Sequence, residues 1–238
     1  MTPLMLDPAR ATGQTGAGLL AALQHADTFF PSGSMAFSWG LEGLLRDRLV
    51  TNATTLEAFV ESQALTRWAT FDQGIVCASW DAFEARGAWR EADAYAEAMT
   101  LPLSLRTGSR RLGRTLSDVH ARLGSPTASE LRQDIAGGLS PGHLAAVQGV
   151  LWRSFGIGKF EARAMSAHTT CTGAVSAAVR LGIVGHLDAQ RILSRLRQPI
   201  ADVLHQPPPR LSDLSSATYA ADIASLRGEA VDARMFAN

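Results

Sequence analysis

From Leu19 onward, apolar residues recur every three or four positions along most of the chain, which is the spacing of one face of an α-helix. Leu56, Phe59, Val60, Ala64, Trp68 and Phe71 fall on one such stripe, and Thr54 with Glu57 reads as a capping box in front of it. The next stripe carries Ile75, Val76, Trp80 and Phe83, stops at Gly87, and is followed by a helix expected over residues 88–101. Thr127 with Glu130 repeats the capping-box signature, and Ser140 ahead of Pro141 places a capping serine before a proline at the first helical position. Residues 161–182 are dense in small side chains, among them Ala162, Ala167, Gly173, Ala174 and Ala178. Small residues let helix axes approach, so this segment is expected at the centre of a bundle. Ile192, Leu193, Leu196, Ile200, Val203 and Leu204 mark a last long helix, which Pro199 should kink or split.

The ends differ. Residues 1–15 are rich in Pro, Gly, Thr and Ala without periodicity and read as a loose arm. Residues 16–206 form one helical domain. Pro207-Pro208-Pro209 opens a tail, 207–238, on an extended path. Within it Tyr219, Ile223 and Leu226, spaced four and three, make one amphipathic stretch too short to hold alone in water; it should order only by docking. Alternating runs bounded by turn dipeptides are missing. The pattern predicts an all-α fold: a single-domain helical bundle of roughly ten helices with a flexible N-terminal arm and C-terminal tail.

Composition narrows the function. A chain of 238 residues buries roughly 70–75% of its unfolded surface. Its 22 cationic and 22 acidic residues cancel, which argues against nucleic acid or an anionic membrane as partner, since both need a basic excess. Lys159 is the sole lysine; the arginines suit interface ion pairs or simply reflect codon usage. Cys77 and Cys171 form no C-x-x-C pair and read as reduced thiols. With neither a secretory leader in residues 1–18 nor an apolar run of membrane-spanning length, the expected location is cytoplasmic, away from membranes.

The chemistry is sparse. A P-loop needs Gly-Lys followed by Ser or Thr, and the one lysine sits in Gly158-Lys159-Phe160, so this chain is not a P-loop GTPase. No two of His25, His120, His143, His168, His186 and His205 lie three or four residues apart. His168 and Cys171 are spaced to face one another, as a metal pair, as base and nucleophile, or as a packed thiol beside a satisfied histidine. His25-Ala26-Asp27 reads as two members of a triad or, more simply, as a helix end before a turn. The expectation is no catalytic, cofactor-binding or metal-binding residue.

Residues 25–42, HADTFFPSGSMAFSWGLE, resemble the N-terminal signature of the urease accessory protein UreF family: Asp, then Pro-x-Gly, then Ser-x-Gly-Leu-Glu, at Asp27, Pro31, Gly33, Ser38, Gly40, Leu41 and Glu42. The resemblance continues through Asp72; Arg106, Ser109 and Gly113; His143 and Gly149; the run Arg180 to Gly185 with Gln190; and the terminal Arg234-Met235-Phe236-Ala237-Asn238. It covers residues 19–238, and its specificity lies in the ordered series, no one motif being specific alone. Met35 and Phe37 stand where the family often has an aromatic and a histidine, and Gly228 precedes Glu229 where its tail usually has a His-Glu pair.

The resemblance implies an all-helical homodimer without enzymatic activity. Such a protein binds UreD (also called UreH) on one side and the nickel-carrying GTPase UreG on the other, and the complex meets apo-urease; nickel and GTP are handled by the assembly. It points to Pro31, Gly33, Ser38, Glu42 and Arg180 for the GTPase side and to Tyr219, Ile223, Arg234 and Phe236 for the UreD/UreH side. Plainer readings stand beside these. Pro31, Gly33 and Gly40 suit turns, Glu42 suits the first turn of a helix, Arg180 suits the carbonyls before a C′ glycine at Gly182, and the tail suits disorder. The competing functions are a helical adaptor unrelated to urease and a helical enzyme with a His/Cys site.

Overall fold

The computed structural model describes residues 16–27, 29–31, 38–85, 87–216 and 218–228; the expected arm 1–15 and the last ten residues lie outside them. Among the described residues there are helices and no strand. They are α1 (Gly16–Ala26), α2 (Leu41–Arg46), α3 (Ala53–Ser62), α4 (Gln73–Asp81), α5 (Trp89–Met99), α6 (Leu103–Arg122), α7 (Pro126–Ala136), α8 (Leu144–Ser154), α9 (Lys159–Arg180), α10 (His186–Leu204) and α11 (Tyr219–Gly228). A π-helical segment, Gln63–Asp72, joins α3 to α4 without a break.

Helix α9 lies in the centre, as its small residues predict: Ala162, Ala167, Ala174, Ala177 and Ala178 are all buried. One core cluster gathers Leu41, Leu56, Val60, Ala174, Ala178 and Ile192 from α2, α3, α9 and α10. A second gathers Phe71, Ile75, Trp89, Leu131, Val147 and Leu151 from α4, α5, α7 and α8 and the π segment. Helices α4 and α8 cross so closely that a Cβ on Gly149 would stand 2.4 Å from the Val76 carbonyl oxygen.

Three helix starts differ from the sequence expectation, each for a local reason. Helix α3 is capped by Asn52, whose side chain accepts from the Thr55 N–H at 3.0 Å, while the Thr55 hydroxyl accepts from the Asn52 N–H at 3.2 Å. The box is therefore Asn52–Thr55, not Thr54–Glu57, and Glu57 instead meets Arg195 of α10 at 2.6 Å. Helix α7 is capped by Ser125 with Pro126 at its first position, not by Thr127. Ser140 does not cap α8, which begins at Leu144. Its hydroxyl donates to Asp93, a buried carboxylate of α5 that also accepts from the Gly142 N–H at 2.6 Å and the His143 N–H at 2.8 Å. The Leu144 N–H donates to the Ser109 hydroxyl of α6 at 3.2 Å. Neighbouring helices thus supply the acceptors that a local serine was expected to provide.

Pro199 does not split α10, which runs on through it. The carbonyl it leaves without a helical donor belongs to residue 195, which lies on the exposed side of the helix. The far end of α10 is held by the buried Arg163 of α9, which donates to the carbonyls of Leu204, Val203 and Gln206 at 3.0, 3.1 and 2.9 Å and to the Gln73 side chain at 2.9 Å. Helix α9 ends as expected at Gly182, with φ 72°; the Gly182 N–H reaches Val179 O and the Ile183 N–H reaches Ala178 O, the paired bonds of a Schellman motif.

Asp93→Asn, which turns a triple acceptor partly into a donor, should cost about 2–4 kcal/mol. Asn52→Ala should cost about 1 kcal/mol and Thr54→Ala almost nothing. Urea denaturation of the three variants checks the order.

Candidate partner-binding surfaces

The signature segment 38–46 and the tail helix meet. Trp39 (φ 53°) and Gly40 (φ 83°) take consecutive left-handed conformations, a strained turn for tryptophan. The turn delivers the chain into α2 with the Leu41 N–H on the Ser38 carbonyl at 2.9 Å. Helix α11 then lies against α2 at the distance of bare backbone. A Cβ on Gly40 would stand 2.6 Å from the Ala221 carbonyl oxygen, and one on Gly43 2.8 Å from that of Ala224. The Arg227 guanidinium reaches Asp47, just past α2, at 3.5 Å.

The chain entering α11 is fastened to the π segment. The Ser215 N–H donates to the Thr70 carbonyl at 3.0 Å, and the Thr70 hydroxyl lies against the Ser215 carbonyl. The Arg67 guanidinium, almost fully buried, donates to the Ser216 hydroxyl at 3.2 Å, lies over Trp39 and Phe71 at 5.3 and 5.4 Å, and stands 3.4 Å from the Asp72 carboxylate. Burial pushes the Asp72 carboxyl above its ordinary range, with the Arg67 and His143 charges pulling it back. Asp72, Ser109, Gln148, Ser166 and Thr170 line a cavity of about 20 Å³ under Trp39, room for a single water.

Helix α11 presents the opposite of an ordinary amphipathic face. Thr218, Ala221, Ala224 and Ser225 are buried, while Tyr219, Ile223 and Leu226 are 77%, 49% and 49% exposed. The expected stripe is there, but the body takes the small face and leaves the large apolar one outward. On α1, Leu19, Leu20 and Leu23 are also exposed. Sequence reading missed the small face and Arg67, since alanine and glycine carry little periodicity signal; the pair of glycines three apart, Gly40 and Gly43, was the available clue.

Of the remaining candidate residues, Pro31 is exposed, Ser38 fully buried beneath the turn, and Glu42 half-buried in the first turn of α2. Arg180 is exposed in the last turn of α9. Gly33, Arg234 and Phe236 lie outside the described residues. The structure thus brings Glu42 and the α11 stripe onto neighbouring helices. His168 is exposed while Cys171 is buried, its thiol pushed up to about 12, so the two do not form a nucleophile and base. Asp27 accepts from the Phe29 N–H at 2.9 Å, closing the turn after α1 and not orienting His25. No helix among the described residues is long and apolar enough to cross a membrane.

Gly43→Ala keeps an ordinary helical residue but drives a methyl into the Ala224 backbone. It should loosen α11 selectively, seen as faster amide exchange over residues 219–228 with α8 and α9 unchanged; Gly16→Ala, which meets nothing within 4 Å, should leave exchange as it is.

The family model described as UreF matches residues 50–197. A urease accessory protein UreF of Allorhizobium ampelinum is 33% identical over 228 residues, covering 92% of this chain and 96% of that protein. One from Actinobacillus pleuropneumoniae serotype 3 is 28% identical over 224 residues, covering 92% and 99%. Another, from Rhizobium leguminosarum bv. trifolii, is 33% identical over 211 residues, covering 87% and 90%. With a matching model over more than half its length and end-to-end relatives above 30% identity, this chain belongs to the UreF family of urease accessory proteins.

Proposed function

We propose that the protein is a non-enzymatic scaffold of urease maturation. Together with UreD (UreH) it recruits and regulates the nickel-carrying GTPase UreG, so that nickel enters apo-urease. It works in the cytoplasm as a homodimer and binds neither nucleic acid nor membrane. Nickel is cargo here, and GTP belongs to the partner.

The observation that carries this reading is the outward stripe of α11. Tyr219, Ile223 and Leu226 stand exposed on a helix that the body already holds by its other face. Large apolar side chains kept in water on an ordered helix fit a partner better than solvent, and aromatic anchors dominate interface energetics. We assign this stripe, continued by Arg234 and Phe236, to UreD/UreH. Pro31, Gly33, Glu42 and Arg180 are assigned to the GTPase side, with Ser38 acting through the turn it closes. Control of UreG then rests on a difference in affinity for its nucleotide states, since a ligand shifts an equilibrium only by that difference.

Co-purification of the full chain with UreD/UreH and UreG tests the assignment. The Tyr219→Asp/Ile223→Asp variant, whose changes fall on exposed positions, should weaken UreD/UreH binding at least about 30-fold. Deletion of residues 210–238 should abolish the complex. Glu42→Ala and Arg180→Ala should reduce UreG retention while UreD/UreH stays bound. Assembly by the double variant as tight as wild type would remove the stripe from the interface.

A further inference from the structure

Although the chain as a whole is neutral, with 22 cationic and 22 acidic residues, its charge is unevenly placed. Helix α6 carries Arg110, Arg111 and Arg114 within about one turn. Arg110 and Arg111 precede Arg114 by four and three residues, so the three guanidinia share a face, where like charges repel. They line a cleft of about 600 Å³ whose other walls are Glu97 of α5, Ile135 of α7 and Pro141 in the connection to α8. Arg110 is half-buried and stands 3.7 Å from the Glu97 carboxylate, which the buried His143 also meets at 2.8 Å. Arg111 and Arg114 are exposed, and among the described residues no carboxylate lies within ion-pair distance of either. The fold itself therefore makes no use of these two charges.

We propose that this cleft docks an acidic, extended peptide segment of a protein partner, with alternate carboxylates on the α6 arginines and the side chains between them against Ile135 and Pro141. Charge complementarity carries the assignment: guanidinium forks that lack an internal acid match carboxylates in a planar, bidentate fashion. The spacing agrees. Four helical residues rise about 6 Å, close to the roughly 6.6–6.8 Å between alternate residues of an extended chain, and the walls differ in kind as the two faces of such a chain do. A phosphate fits less well. Phosphate sites add main-chain N–H groups at a helix start, but the N–H groups of Gly142 and His143, before α8, go to Asp93, and that of Leu144 goes to the Ser109 hydroxyl. Glu97 on the lining also repels a doubly charged phosphate more than a single carboxylate. Since Arg111 and Arg114 remain in water, the contact steers and registers a partner more than it binds tightly. None of the described residues assigned above to UreD/UreH or UreG lines the cleft, so this inference stands apart from those assignments.

The test titrates the full chain at pH 7 and low salt into a fluorescently labelled peptide of alternating glutamate and alanine, read by anisotropy. The peptide should bind, and salt should weaken it by screening. Arg111→Glu/Arg114→Glu, at two exposed positions, should lower the affinity at least about tenfold and leave thermal unfolding nearly unchanged. Arg122→Glu/Arg197→Glu makes the same change in net charge at exposed positions outside the cleft and should lower it far less. Arg111→Lys/Arg114→Lys, which keeps the charge without the fork, should fall between wild type and the reversal. In the unsubstituted protein the peptide should shift the guanidinium Nε–H resonances of Arg111 and Arg114 before those of Arg122 and Arg197. Equal loss in the two charge-reversal variants, shifts spread over all exposed arginines, tighter binding of pyrophosphate or of a single-stranded RNA oligonucleotide than of the peptide, or no peptide binding at low salt would overturn the proposal.

Discussion

The Arg67 guanidinium is the constraint on which the signature turn, the π segment and the entry to α11 rest. It is a charge taken almost wholly out of water, which costs several kcal/mol unless its donors and its charge are answered. The answers come from three separate parts of the chain. Asp72, five residues along the same helix, supplies the opposite charge; Trp39 and Phe71 offer ring faces; Ser216 accepts from the tail. Each partner needs the guanidinium as much as it needs them. Trp39 holds a left-handed backbone conformation that tryptophan does not choose for itself, and the cation beneath its ring helps keep it there. Asp72, forced upward by burial, stays a carboxylate the more readily because Arg67 is next to it. One buried cation thereby couples the signature turn, the π segment and the entry to α11.

The π segment makes that arrangement possible. A helix whose N–H groups reach one residue further back is wider and leaves some carbonyls without their usual donor. The Thr70 hydroxyl takes the Thr66 carbonyl at 2.5 Å and the Gln73 side chain takes that of Ala69 at 2.6 Å. The Thr70 carbonyl is left to accept from Ser215. An irregularity in the longest continuous helical run is thus the place where the tail is tied down, and no local propensity in Gln63–Asp72 announces it.

That contrast describes what the sequence could disclose. The α3 stripe was legible because a period of 3.6 in Leu, Phe or Trp survives any tertiary context, and the central α9 because small residues crowd one segment of the sequence. The Thr54–Glu57 box failed because Asn52 is an equally good cap two residues earlier, and Ser140 failed because Asp93, 47 residues away in sequence, reaches the donors first. Among the candidate site residues the stripe Tyr219, Ile223, Leu226 was legible, but which way it faces was not. Orientation was settled by Gly40 and Gly43 against Ala221 and Ala224, residues whose smallness matters only once two backbones are known to meet. The resemblance supplied the order of landmarks along the chain; packing supplied their faces.

The way α11 is attached bears on what it can do. Alanine and serine bury little apolar area, so each contributes far less than the 1.5–3 kcal/mol or so that burial of a leucine-sized side chain brings. The helix is ten residues long, below the length that holds alone in water, and its ordered state therefore leans on its packing against α2 and on the Arg67 and Thr70 bonds at its entry. A partner that covers Tyr219, Ile223 and Leu226 adds the larger apolar term from the other side. On the proposed assignment, weak internal docking and stronger external docking would act on the same helix, so whatever orders α11 would favour the partner, and the partner in turn would steady Trp39 and α2 beneath it. Such reciprocity follows from linkage, and under the proposed function it would pass occupancy at the tail to the signature turn.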